Sequence, residues 1–293
     1  MSKKESEIKN YGVSIRDKLL HIARTTGRDY NQIITRFFQE RLLYRLSISR
    51  YNEYFILKGG ALLYTYNRHS ARPTLDIDLL GHNISRDKQF LVDAFSRICT
   101  VEYPSDGVHF LHETITATEI MSGRHYNGLN ITLYACLDSI KQLVSMDIGF
   151  GDIVIPEPVC LDYPLFLDTM PAIHIFAYSP ETVVAEKFQT MIEKSVLNSR
   201  MKDFYDVYTI LSEGTVRSNI LKAAVKSVLV NRGTKYIDQH PVFSESFYRD
   251  PARDVLWKGF LKRIKYSGDL PFTEVMEVIK TSLLPIWEDF KHQ

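Results

Sequence analysis

Apolar positions along the chain fall into three textures. Over residues 1–50 they recur at helical spacing. Ser14 reads as an N-cap with Asp17 in the first turn, and Ile15, Leu19, Ile22 and Ala23 share one face. Gly27 breaks this helix and Asp29 caps the next, whose stripe is Ile33, Ile34, Phe37, Phe38, Leu42 and Leu46. Over residues 51–178 the runs shorten. Strands are predicted at Tyr54–Leu57, Leu75–Leu80, Asn130–Leu137, Gln142–Ile148 and Ile173–Tyr178, with helical stretches after Gly60 and from Arg86 to Cys99. The segments on either side of Asp138-Ser139-Ile140-Lys141 read as a hairpin. Over residues 179–293 helical spacing returns. Ser179 as N-cap and Pro180 at the first helical position mark a start, and helices are predicted at Pro180–Val196, Arg200–Leu211, Val216–Val230, Asp254–Ile264 and Phe272–Trp287. The pattern predicts an α/β (α+β) chain: a helical leader (1–50), a mixed-sheet core (51–178) and a helical C-terminal domain (179–293).

Length and composition agree with that picture. At 293 residues the chain has room for roughly two domains. With 45% hydrophobic and 24% charged residues it is neither a long disordered chain nor a disulfide scaffold. Lys+Arg 36 against Asp+Glu 35 argues against holding nucleic acid by bulk charge, although residues 1–50 alone carry eleven basic against five acidic side chains. Cys99, Cys136 and Cys160 form no CxxC pair, so each is expected as a small buried hydrophobe in a reducing compartment. The first residues lack the apolar core of a signal peptide, and no apolar stretch approaches the ~18–20 residues that span a bilayer, so the expected location is cytoplasmic.

The chemistry concentrates in Lys58-Gly59-Gly60 and in Arg72-Pro73-Thr74-Leu75-Asp76-Ile77-Asp78. Strand side chains alternate, so Asp76 and Asp78 point the same way with Cα atoms ~6.6 Å apart, and Ile77 points into the core. Paired carboxylates repel unless a cation sits between them, and Mg²⁺ takes oxygen ligands while leaving positions for phosphate. Gly59-Gly60, between a strand and a helix, is expected to leave backbone N–H groups bare for a phosphate. Asp147 sits in an otherwise apolar or small strand segment. If that strand neighbours the Asp76/Asp78 strand, three carboxylates converge, as metal-assisted phosphoryl or nucleotidyl transfer requires. Asp152 is a rival for the third position.

Phe55-Ile-Leu-Lys-Gly-Gly-Ala-Leu-Leu, Arg72-Pro-Thr-Leu-Asp-Ile-Asp, Ala185-Glu-Lys-Phe and Ser199-Arg-Met-Lys-Asp-Phe-Tyr-Asp occur in that order. In this the chain resembles the AbiEii/AbiGii toxin family, nucleotidyltransferase-like toxins of abortive-infection and type IV toxin–antitoxin systems within the DNA polymerase β-like nucleotidyltransferase superfamily. The resemblance runs from about Ser14 to Leu211. It implies a nucleotidyltransferase-like mixed sheet flanked by helices, and transfer of a nucleoside monophosphate from an NTP with Mg²⁺ (or Mn²⁺). It implies metal binding by Asp76, Asp78 and Asp147, nucleotide binding by Lys58, Gly59, Gly60, Arg72, Thr74, Lys187 and Asp206, and a catalytic part for Lys187 and Asp203. Thr74 stands where the family often has Ser, which keeps the hydroxyl. Asp203 and Asp206 lie i, i+3 on one helix face, so spacing leaves their roles unseparated. The implied acceptor is an RNA such as the tRNA 3′ end, the implied consequence is growth arrest, and the implied partner is a cognate antitoxin. Transfer to a small hydroxylated molecule and a non-catalytic nucleotide-sensing or protein-binding module are the alternatives.

Other features are weaker. His109 and His112 lie three apart on a strand and face opposite sides, so they are not expected to chelate. Arg217, Lys222, Lys226, Arg232 and Lys235, with no acid among them, are either a solvated face or a phosphate track for RNA.

Overall fold

The computed structural model describes residues 10–66, 72–122 and 125–291. They form two compact units: one comprises 10–61, 73–122, 125–151 and 160–177, the other 62–66, 72, 152–159 and 178–291. Among the described residues, no helix is long and apolar enough to cross a membrane.

The first unit is built on a seven-stranded mixed sheet. Its strands are β1 (Phe55–Lys58), β2 (Asp76–Gly81), β3 (Val108–Ser122), β4 (His125–Leu137), β5 (Ile140–Phe150), β6 (Val159–Asp162) and β7 (His174–Ala177), in the order β3-β4-β5-β2-β1-β7-β6. The pairs β3/β4, β4/β5 and β1/β2 are antiparallel, and β2/β5 and β1/β7 are parallel. Alternation sends Ile77, Leu79, Met146, Ile148, Ile131 and Leu133 into the core, all essentially without exposure. α2 (Tyr30–Ser47) packs on β5 and β7, and α4 (Lys88–Cys99) packs on β3. α1 (Tyr11–Thr26) lies against α2, and α3 (Gly59–Tyr66) follows β1 directly.

Several local expectations change. Helix α1 is capped by Asn10, whose side chain accepts the Val13 N–H at 3.1 Å, and Ser14 lies inside the first turn. Asp29 and Ser179 cap as expected, on the N–H groups of Gln32 and Thr182. The hairpin turn tightens to Asp138-Ser139, with Asp138 at φ 51°. β6 lies outside the apolar runs because its outward positions carry Cys160 and Asp162, which suits an edge strand. Of the cysteines only Cys99 is buried; Cys136 is half-buried and Cys160 exposed, which corrects the expectation for those two.

The largest departure is α2. In place of one apolar stripe, every residue from Ile33 to Leu46 is buried, because α1, α4, β5 and β7 all pack against the helix. Its polar side chains therefore need internal partners. Arg45 donates to the Asp106 carboxylate (2.8 Å) and to the Val101 and Val108 carbonyls. Glu40 accepts from Arg41 and from the Phe166 N–H, both at 2.8 Å. Burial pushes the Glu40 pKa up, and these partners only partly offset it.

The second unit is helical: α5 (Pro180–Lys194), α6 (Met201–Ser212), α7 (Ser218–Asn231), α8 (Glu245–Tyr248), α9 (Pro251–Arg263) and α10 (Phe272–Phe290). α5 packs on α6 and α7, and α6 packs on α9 and α10. Phe204, Tyr205, Trp257 and Phe272 form an aromatic core between α6, α9 and α10.

Candidate active site

In the first unit, sheet register assembles the acids. Asp78 stands beside Asp147 across the parallel β2/β5 pair, and Asp76 stands beside Ser145. The intervening Ile77 and Met146 are fully buried, so the acids occupy the opposite, open face. The row extends across four strands as Lys58, Asp78, Asp147 and Asn130. Asn130 Nδ2 donates to Asp147 Oδ1 at 2.6 Å and to Ser145 Oγ at 2.8 Å, fixing one oxygen of that carboxylate. Sequence spacing carries no sign of Asn130 or Ser145, since only the register reveals them.

The glycines are explained by close approach. Gly59 has φ +62°, and a Cβ there would lie 1.9 Å from Asp78 Oδ2. At Gly60 it would lie 2.6 Å from Thr74 Oγ1. The Gly60 N–H, expected to be bare for a phosphate, donates instead to Asp78 Oδ2 at 3.3 Å and so orients that acid. Thr74 Oγ1 lies 3.4 Å from the Asp76 carbonyl.

Asp76 and Asp78 offer only hard oxygen donors, which fits Mg²⁺ or Mn²⁺. Among the described residues no group of three or more His, Cys, Asp or Glu side chains is arranged to hold a metal unaided. The donor set therefore suits a cation shared with substrate oxygens, as Mg²⁺ commonly is. Asp152 is committed elsewhere, to Arg232 at 2.6 Å and to the Tyr178 hydroxyl at 3.2 Å.

In the second unit, charges of alternating sign form a chain through α5 and α6. Lys187 Nζ is 2.9 Å from Asp203 Oδ1 and 2.8 Å from Asp206 Oδ2. Arg72 holds Asp206 in a bidentate fork, with Nε–Oδ1 and Nη2–Oδ2 both 3.0 Å, and Arg200 Nε reaches Asp203 at 2.5 Å. This geometry separates the two acids: Asp206 is shared with Arg72, Asp203 with Arg200. Burial pulls the Lys187 pKa down, but Asp206 and Asp203 overcome that and leave it raised. Burial pushes the Asp203 pKa up, yet Lys187 and Arg200 hold it lowered, to about 2. Both shifts favour the charged pair.

The basic residues near α7 are largely engaged internally. Arg217 pairs with buried Glu181, Lys222 and Lys226 with Asp289, and Arg232 with Asp152. His109 and His112 are both exposed on β3.

The sequence model of the family described as "Nucleotidyl transferase AbiEii toxin, Type IV TA system" matches residues 41–279. The match begins after Ser14 and extends well past Leu211, taking in most of the C-terminal helices as well as the four motifs. No curated protein matches the chain. Among solved structures, JHP933 from Helicobacter pylori is similar with 12% identity and a TM-score of 0.49, over 90% of this chain and 95% of that one. An antigenic nucleotidyltransferase-like protein from Paracoccidioides brasiliensis is similar with 16% identity and a TM-score of 0.33, over 61% of this chain and 80% of that one. The family match spans well over half of the chain and includes Asp76, Asp78, Asp147, Lys187 and Asp203, and the chain belongs to the nucleotidyl transferase AbiEii toxin family of type IV toxin–antitoxin systems.

Proposed function

We propose that the protein transfers a nucleoside monophosphate from an NTP to the 3′ hydroxyl of an RNA acceptor, with tRNA as the first candidate, and that this arrests growth. The observation that carries the reading is the register pairing of Asp78 with Asp147, with Asp76 on the same open face. A divalent cation, Mg²⁺ or Mn²⁺, held by Asp76 and Asp78 would neutralise phosphate charge and polarise the α-phosphate. Asp147 is the proton acceptor for the RNA hydroxyl. Asn130 occupies Oδ1, so Oδ2 takes the proton. The hydroxyl oxygen then bonds to the α-phosphorus, the bond from that phosphorus to the bridging oxygen breaks, and pyrophosphate leaves. Gly59 and Gly60 hold Asp78 in place, and Lys58 beside it in register supplies positive charge on the same row. In the second unit we assign Lys187 to phosphate contact, with Asp203 and Asp206 keeping it charged and positioned by Arg200 and Arg72. Such a site works mainly by positioning and by charge neutralisation. The family implies a cognate antitoxin as genetic partner.

The test is to express the protein and its Asp76→Ala/Asp78→Ala variant, then to incubate each purified protein with labelled NTPs, Mg²⁺ and bulk tRNA. Growth arrest and RNA labelling that both vanish in the variant support the reading. Label in a small product instead supports transfer to a small hydroxylated molecule. NTP binding without any product supports a sensing module and refutes both enzymatic readings.

A further inference from the structure

The open face of the sheet continues from the acid row down β4 and β5, and its character changes in a graded way. Beside Asp147 and Asp76 come Ser145 and Thr132, then Tyr134 opposite Leu143, then Lys141. Ser145 and Thr132 are small and hydroxylated. Tyr134 and Leu143 are large and stand in solvent, 39% and 49% exposed, while Leu133 and Val144 beside them are buried on the other face. Lys141 Nζ lies 4.6 Å from the centre of the Tyr134 ring, so the aromatic face carries a cation. β3 also departs from regular pairing here. From Thr116 to Leu111 it takes five steps while β4 takes two, from Thr132 to Tyr134. The extra length bows the edge strand next to Tyr134, where Thr114 Oγ1 accepts the Tyr134 N–H at 3.0 Å.

We infer that Tyr134, with Lys141 and Leu143, is a stacking platform for unpaired bases of the RNA acceptor behind its reactive 3′ end. The inference rests on the proposed transfer to RNA and names where that substrate lies. An exposed aromatic ring beside a cation is the pairing by which proteins hold single-stranded nucleic acid without reading its sequence. The platform shares a strand face with the acid row, with Leu143 about 13 Å from Asp147 along β5 (four residues). A chain whose 3′ hydroxyl meets Asp147 and which runs down this face therefore brings later bases onto Tyr134 and a phosphate near Lys141. Ser145 and Thr132 leave the intervening stretch free of bulky side chains.

The test uses the full chain and a fluorescein-labelled single-stranded oligoribonucleotide with a free 3′ hydroxyl, beside a copy whose bases behind the terminal nucleotide are abasic. Loss of base–aromatic stacking weakens binding by roughly 5- to 150-fold. Tyr134→Ala is expected to raise the Kd and the KM for RNA by that order while leaving the KM for NTP unchanged. Tyr134→Phe keeps the ring and is expected to retain wild-type binding. The abasic copy is expected to bind the wild type as weakly as the intact copy binds Tyr134→Ala, and to lose nothing further in that variant. Equal RNA affinity for wild type and Tyr134→Ala overturns the platform, as does a change of oligomeric state with RNA binding intact. So does an equal penalty for the abasic copy in both proteins. If the wild type labels RNA but Tyr134→Ala does so with the same KM, only the platform fails. If neither protein nor any NTP gives labelled RNA, the parent reading fails first.

Discussion

Asp203 offers the sharpest quantitative prediction, because its side chain is only 2% exposed and is held between Lys187 and Arg200. Its pKa is lowered from 3.8 to about 2, so the ionised form stabilises the folded state. A lowered folded-state pKa gives stability that is present above the unfolded value and lost as pH falls through the folded one. A tenfold change in proton affinity corresponds to about 1.4 kcal/mol, so the contribution is about 2 kcal/mol at pH 5, about 1 kcal/mol at pH 3 and close to zero near pH 2. Asp203→Asn keeps the shape and removes the charge. It should therefore destabilise the protein by about 2 kcal/mol at pH 5 and by far less at pH 2.5, where the wild-type acid is itself partly protonated. The assay is urea unfolding of both proteins at each pH, followed by tryptophan emission. Both tryptophans, Trp257 and Trp287, are buried in the same unit as Asp203, so the signal reports on that unit. Taking the difference between the two proteins cancels the other carboxylates that titrate in this range. A difference that stays constant with pH, or grows as pH falls, would refute the assignment.

Two further substitutions probe the acid row. Gly59→Ala places a Cβ on Asp78 at a positive-φ position, so it should cost about 1–2 kcal/mol in backbone strain and abolish transfer by displacing the acid. Calorimetry with the transfer assay checks this, and full activity would contradict the close approach. Asn130→Ala frees Asp147 Oδ1 and should lower kcat by about 10- to 100-fold with the KM for NTP unchanged, since orientation of the acceptor's base and not nucleotide binding is lost. Steady-state kinetics decide it, and a rise in KM for NTP with kcat unchanged would place Asn130 in nucleotide binding.

Much of this architecture is legible in the chain, and the gaps have physical causes. Ile77 between Asp76 and Asp78 announces a strand with two faces, and Ser179-Pro180 announces a helix start, because both signals are local. The pairing of Asp78 with Asp147 is not local, as 69 positions separate them and only the parallel β2/β5 register joins them. The roles of Asn130 and Ser145 depend on that same register. Helix α2 departs from its pattern for a related reason: a stripe of Ile, Phe and Leu suggests one buried face, while neighbours on every side bury Glu40, Arg41 and Arg45 as well. Asp203 and Asp206 share a helix face in sequence, and only Arg200 and Arg72 distinguish them. The basic run through Arg217, Lys222, Lys226 and Arg232 looks unpaired along the chain because its acids, Glu181, Asp289 and Asp152, lie far away in sequence.

The proposed transfer to RNA makes the acids on the open sheet face responsible for forming the new phosphodiester bond. Its most direct test follows two labels in parallel, one in the α-phosphate of the NTP and one in the γ-phosphate, with Mg²⁺ and tRNA present. Only the α-label is expected to enter the RNA, at its 3′ end, while the γ-label leaves as pyrophosphate and Asp76→Ala/Asp78→Ala stops both. Entry of the γ-label into RNA, or α-labelling that persists in the variant, would contradict it.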